Sequence, residues 1–262
     1  MAYAINDGVR LHWQESGSGT PLLLIMGHCY SARMWYPLID RLAAHHRVIC
    51  FDNRGTGGSD TTWRVTVQQL ARDALAVMDA AGIDSAHVHG VSMGGVIALE
   101  LAMQQPQRVR TLILGCTGIL SAEKRRMPAA VRALYYLPRP LLRWLLSSRG
   151  GYGSRATTEA AARDRAVLLS DTSTKRGLAA QAAALARYCT SAQAVAALRM
   201  PALVLHGDED RTVALDAGVE LARTLHDSRL HIVNGAAHNY LVAAVDEVVP
   251  LMLSFIAERD AD

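Results

Sequence analysis

The stretch "HVHGVSMGGVIAL", residues 87–99, joins two apolar runs through one tight turn. The run leading in, "AHVHGV" (86–91), is short and β-rich. The run leading out, "GGVIALELAM", has helical length and is apolar almost all round, with Glu100 the main exception. A strand that turns straight into a buried helix brings two backbones nearly into contact, and small residues are needed where they cross. Gly90 and Gly94 stand two residues either side of Ser92. The turn therefore reads as a device that presents one hydroxyl. It is not a phosphate cradle, because it is neither GxGxxG nor a loop ending in Gly-Lys-Ser/Thr.

Outward from this turn the chain alternates. "VRLHWQES" (9–16), "PLLLIM" (21–26), "RVICFD" (47–52), "VRTLILG" (109–115), "PALVLHG" (201–207) and "RLHIVNG" (229–235) read as strands, most of them apolar on both faces. "TVQQLARDALAVMDAAGI", with Thr66 and Gln69 as a capping box and Gly82 as its stop, reads as a helix. So do "ALDAGVELARTLH" and "LVAAVDEVVPLMLSFIAER". The alternation predicts an α/β protein with a mostly parallel sheet and helices on both faces. It breaks between 121 and 191, where only helical signals occur: "PAAVRALYYL", "PLLRWLLSS", "TTEAAARDRAVLLSD" and "GLAAQAAALARYC". That stretch carries 13 Lys and Arg against 4 Asp and Glu, in a 262-residue chain of net charge +3. Most of these cations suit a solvated face.

In an open parallel sheet, reactive groups gather at the carboxyl ends of the strands. Ser92 sits at such an end, and the helix beyond it offers unpaired N–H groups. This matches the G-x-S-x-G nucleophile elbow, with the Met93 N–H as an oxyanion donor. A serine needs a base, and the base needs an orienting acid. Of ten histidines, His238 in "NGAAHNY" lies after the last strand and before the last helix, at the same sheet edge. "LVLHGDEDRTV" offers the acid: Asp210, with Asp208 as the alternative. The order Ser92, Asp210, His238 is the nucleophile-acid-base order of this arrangement.

With "LLLIMG", "FDNRGTGGSD", "GVSMGG", "VLHGDEDRTV" and "GAAHNY" in place, the chain resembles the α/β-hydrolase superfamily over nearly its whole length. The resemblance implies an eight-stranded sheet with a helical lid inserted after the sixth strand. Residues 1–120 and 192–262 would then form the core, and 121–191 the lid. It also implies that Asp210, last in Gly-x-x-Asp, is the acid, and that "DNRGTGGSD" is scaffolding. One departure stands out: Met26-Gly27 replaces the His-Gly pair that many members carry after the third strand. The second oxyanion donor falls on the His28 N–H, with Cys29 as the alternative, and Cys29 and Tyr30 are expected in the substrate pocket.

The expected activity is hydrolysis of a small carboxylic ester or lactone through an acyl-enzyme, without metal or organic cofactor. The length, "LLLIMGHCYSARMW" and the lid also look similar to enol-lactonases, so enol-lactone or carbon–carbon bond hydrolysis on an anionic substrate is the second reading. A non-catalytic binder on the same fold is the third. A haloalkane-type dehalogenase is disfavoured, since that chemistry has a carboxylate at the Ser92 position. The N-terminus shows no secretory pattern, and no apolar run has membrane-spanning length. Cys29, Cys50, Cys116 and Cys189 lie far apart without C-x-x-C or zinc spacing, as reduced thiols of a cytoplasmic protein would. No nucleic-acid partner and no stable membrane insertion are expected. The sequence leaves a homodimer open.

Overall fold

The computed structural model describes residues 2–121 and 151–260. Eight strands form one sheet in the order β1-β2-β4-β3-β5-β6-β7-β8. They are β1 (Ala2–Asn6), β2 (Val9–Ser16), β3 (Pro21–Ile25), β4 (Arg47–Phe51), β5 (Ala86–Val91), β6 (Val109–Gly115), β7 (Ala202–Gly207) and β8 (Ser228–Val233). β2 runs antiparallel to β1 and β4, and every other pairing is parallel. The parallel strands therefore end at a common carboxyl edge. β1, absent from the sequence reading, is a short edge strand. It is joined to β2 through Asp7 and Gly8, both at positive φ, the backbone that a two-residue Asp-Gly hairpin turn requires.

Successive residues of the central strands feed two opposite cores, as period-two alternation demands. Leu23, Ile25, Ile49 and Val88 pack on one face with the helices α2 (Val67–Ala80) and α3 (Met93–Gln104), whereas α1 (Ile39–Ala43) contributes Leu42 to the other face, beside Leu22, Leu24, Val48 and Cys50. The capping box of α2 is half formed. Thr66 accepts the Gln69 N–H, but the Gln69 side chain donates to Asp7 instead of returning to the cap. Gly82, at positive φ, ends that helix as expected.

Between β6 and β7 the described residues form α4 (Thr158–Leu169), α5 (Lys175–Arg187) and α6 (Ala192–Ala196). The helical signals "PAAVRALYYL" and "PLLRWLLSS" lie outside the described residues. The chain then continues through α7 (Leu215–Thr224) after β7, and α8 (Tyr240–Ala243) and α9 (Val245–Asp260) after β8. The single C-terminal helix of the sequence reading is thus broken at Ala244, whose backbone leaves the helical region. Among the described residues, no helix is long and apolar enough to cross a membrane.

Candidate active site

The β5–α3 corner holds Ser92 at φ 55°, ψ −118°, a conformation that L-residues avoid. The surroundings enforce it. The Ser92 N–H donates to Gly115 O at 2.8 Å, and its carbonyl accepts from Gly95 N and Thr117 Oγ1. A Cβ on Gly90 would strike the Gly94 carbonyl, and one on Gly94 would strike those of Ile25 and Met26. These glycines are the condition for the elbow. Met93 opens α3, so its N–H belongs to the first turn, where the helix itself supplies no acceptor.

Asp210 and His238 come from the loops after β7 and β8. His238 Nδ1 lies 2.7 Å from Asp210 Oδ2, and Asp210 Oδ1 accepts the backbone N–H groups of Thr212 (2.8 Å) and Val213 (3.0 Å). Burial pushes the Asp210 carboxyl up. Hydrogen bonds and charge from His238, with the two amides, outweigh that and hold it below its ordinary value. An ionised Asp210 makes Nδ1 the protonated nitrogen of His238 and leaves Nε2 as the proton acceptor. Asp208 is exposed and does other work, accepting the Gly235 N–H at 2.7 Å.

The loop after β3 lies against the elbow. A Cβ on Gly27 would come 3.3 Å from Ser92 Cβ. Asn53 Nδ2 donates to Met26 O, and Asp52 Oδ1 accepts Ala32 N–H, so the "DNRGTGGSD" turn holds this loop from below. The insertion holds it from above. The amide of Gln181, buried in α5, spans from Arg54 O (2.8 Å) to the Cys29 N–H (3.5 Å). Asp171 accepts the Ser31 N–H, and Ser173 Oγ donates to Cys29 O. α5 comes this close because Gly177 lies on Gly55, where a Cβ on either would meet the other's backbone. The Cys29 N–H is thus engaged by Gln181.

His28 Nε2 faces Leu178 O at 2.9 Å, and a carbonyl only accepts, so Nε2 carries the proton. Nδ1 then accepts from the Cys29 thiol at 3.0 Å. Burial lowers the His28 pKa to about 4, only partly opposed by the Leu178 carbonyl. The neutral ring is an anchor between α5 and the loop.

Two further residues beside the site, His206 and Cys116, escaped the sequence reading. His206, four residues before Asp210, approaches its Oδ2 at 3.5 Å and donates from Nε2 to Val213 O. Cys116, at positive φ after β6, joins them: one ligand atom from each of Cys116, His206 and Asp210 lies within 4.8 Å of the others. A metal here would have to displace the His238 and Val213 hydrogen bonds, so the trio fits a buried support better than a metal centre. Glu100, the polar exception on α3, is buried and accepts from Tyr188 OH at 2.6 Å. Its spacing on an apolar helix was the available signal.

The family model for the alpha/beta hydrolase fold matches residues 20–148. A protein of Azorhizobium caulinodans bearing the name carbamate hydrolase RutD is 30% identical over 275 residues, covering 99% of this chain and 100% of its own. The 2-hydroxymuconate semialdehyde hydrolase of Pseudomonas sp. strain CF600 is 32% identical, covering 98% and 94%. The crystal structure of the enol-lactonase from Burkholderia xenovorans LB400 has the same fold, with a TM-score of 0.85 at 24% identity over 98% of this chain and 100% of that one. The chain belongs to the α/β-hydrolase superfamily, and it is a hydrolase.

Proposed function

We propose that the protein is a serine hydrolase that cleaves a small carboxylic ester or lactone through an acyl-enzyme on Ser92. The observation that carries this reading is the 2.7 Å pairing of His238 Nδ1 with Asp210, at the sheet edge where the strained elbow presents Ser92. Ser92 Oγ attacks the carbonyl carbon while His238 Nε2 takes its proton. Asp210 holds the ring and stabilises its cation. The N–H groups of Met93 and His28 receive the oxyanion, since that of Cys29 is turned to Gln181. His238 then protonates the leaving group and activates the water that frees the enzyme. Cys29 and Tyr30 line the acyl pocket, and no cofactor takes part.

The relatives' names speak of a carbamate, a hydroxymuconate semialdehyde and an enol-lactone. All are consistent with one nucleophile working on different carbonyl carbons. The second reading, enol-lactone or carbon–carbon bond hydrolysis on an anionic substrate, draws on the full-length similarity to the semialdehyde hydrolase. Three described cations of the insertion are engaged elsewhere. Arg155 pairs with Glu247, Arg163 lies over the Tyr36 ring and Arg176 over the exposed Trp63. A panel of short esters, lactones, thioesters and vinylogous diketones separates the two readings. Ser92→Ala should remove at least about 10³-fold of the turnover, with His238→Ala close behind because the groups act as a unit. Fluorophosphonate should label wild-type Ser92. An unlabelled serine in folded protein would make this a binder on a hydrolase fold.

A further inference from the structure

His238 sits in a loop, so neither β8 nor α8 fixes its place. We propose that residues 151–155 of the insertion are a positioning clamp for this base, fastened by Ser154 and Glu209; this rests on the serine-hydrolase reading above. The two residues flanking His238 both donate to the clamp: Ala237 N–H to Tyr152 O at 3.2 Å and Asn239 N–H to Gly151 O at 2.7 Å. The Arg155 N–H returns a bond to Gly235 O at 2.8 Å. Gly153, at φ 85°, makes the contact close enough, since a Cβ there would come 2.7 Å from Ala237 N and run into Gly235 O.

The loop that carries the acid closes the ring. Glu209, next to Asp210, accepts both the Ser154 N–H (2.7 Å) and the Ser154 hydroxyl (2.6 Å). Its own N–H donates to Ala236 O at 2.9 Å. The clamp is anchored at its other end, where buried Tyr152 donates its hydroxyl to Asp164 on α4 at 2.9 Å. Acid loop, base loop and insertion therefore hold one another, and the insertion sets the position of the proton acceptor. A displacement of the order of 1 Å at a catalytic group can cost about 10²-fold in rate. The clamp accordingly acts on turnover more than on binding.

The test uses the full chain, with Glu209→Ala to unfasten the clamp and Gly153→Ala to push it off the base loop. Glu209 is exposed, so its variant tests the clamp even where Gly153→Ala folds poorly. Hydrogen exchange of peptides spanning 234–240 and kcat per fluorophosphonate-titrated serine on p-nitrophenyl acetate are measured together. The expected result in Glu209→Ala is about tenfold faster exchange in that loop and about tenfold lower kcat, with KM within about twofold. Unchanged exchange, or full kcat per labelled serine despite faster exchange, overturns the clamp, because a merely structural role would lower the folded fraction and leave kcat per site intact. A wild-type protein that takes no label and hydrolyses no panel member overturns the hydrolase reading instead.

Discussion

Asp210 differs from Asp208 less in position along the chain than in what each carboxylate touches. Asp210 spends one oxygen on two backbone amides and presents the other to His238. Asn at 210 would keep the volume and the amide contacts. With its oxygen held by those two amides, its NH₂ faces Nδ1, and the wrong imidazole tautomer follows. Asp210→Asn should lower kcat by about 10³–10⁴-fold with little change in KM. Asp208→Asn, which alters only the Gly235 contact, should stay within a few-fold. Steady-state kinetics of the two variants on one activated ester decides between the carboxylates, and equal losses would remove Asp210 from its role. This contrast was half legible in sequence. The G-x-x-Asp spacing nominated Asp210, whereas the amides that hold it depend on how the loop after β7 curls.

At the scale of elements, α5 shows what sequence could and could not reveal. Its helical period was plain, and so was Gly177 near its start, but its target was not. Packing on Gly55 joins residues 122 positions apart in the chain. Gln181 falls on the same face as Leu178, and a buried polar residue on an apolar face was the one available hint that it bridges something. Replacing it with Ala strands Arg54 O and weakens the hold on Cys29 N–H, each in a buried interface. Losing a buried partner typically costs about 1–3 kcal/mol. Gln181→Ala should therefore lower Tm by several degrees in thermal denaturation, since about 1 kcal/mol shifts a domain of this size by roughly 2–4 °C. Gln181→Glu, which keeps an acceptor for Cys29 N–H but places a carboxylate against the Arg54 carbonyl, should be worse than Ala. β1 is the opposite case. Its strand was short enough to miss, yet the Asp-Gly turn that creates it is written in the sequence.

Across the whole molecule, buried imidazoles set how the fold meets acid. Burial lowers the pKa of both His28 and His89 to about 4 from an ordinary 6.5, with hydrogen bonds to backbone carbonyls only partly opposing it. His46, His87 and His206 shift the same way, also chiefly by burial. The folded state therefore refuses protons that the unfolded chain takes up below pH 6.5. Stability from these groups is fully present above that value and is lost progressively down to about pH 4. Asp73 and Asp164, which burial raises, work the other way and gain stability as pH falls. The interval from pH 7.5 to 5.5 brackets the ordinary imidazole value. His28 and His89 together should cost about 2–3 kcal/mol over that interval, at about 1.4 kcal/mol per pH unit for each fully engaged group. Urea denaturation at the two pH values should show a lower midpoint in acid with an unchanged slope. His89→Gln keeps a donor for Ile113 O, which His89 Nδ1 contacts at 2.9 Å, and removes the titration. It should flatten the pH dependence by roughly half of the two-histidine loss, whatever it does to the absolute midpoint. A variant with the wild-type pH dependence would mean that His89 is protonated in the fold, and the buried neutral ring between Trp35 and Ile113 would have to be redrawn.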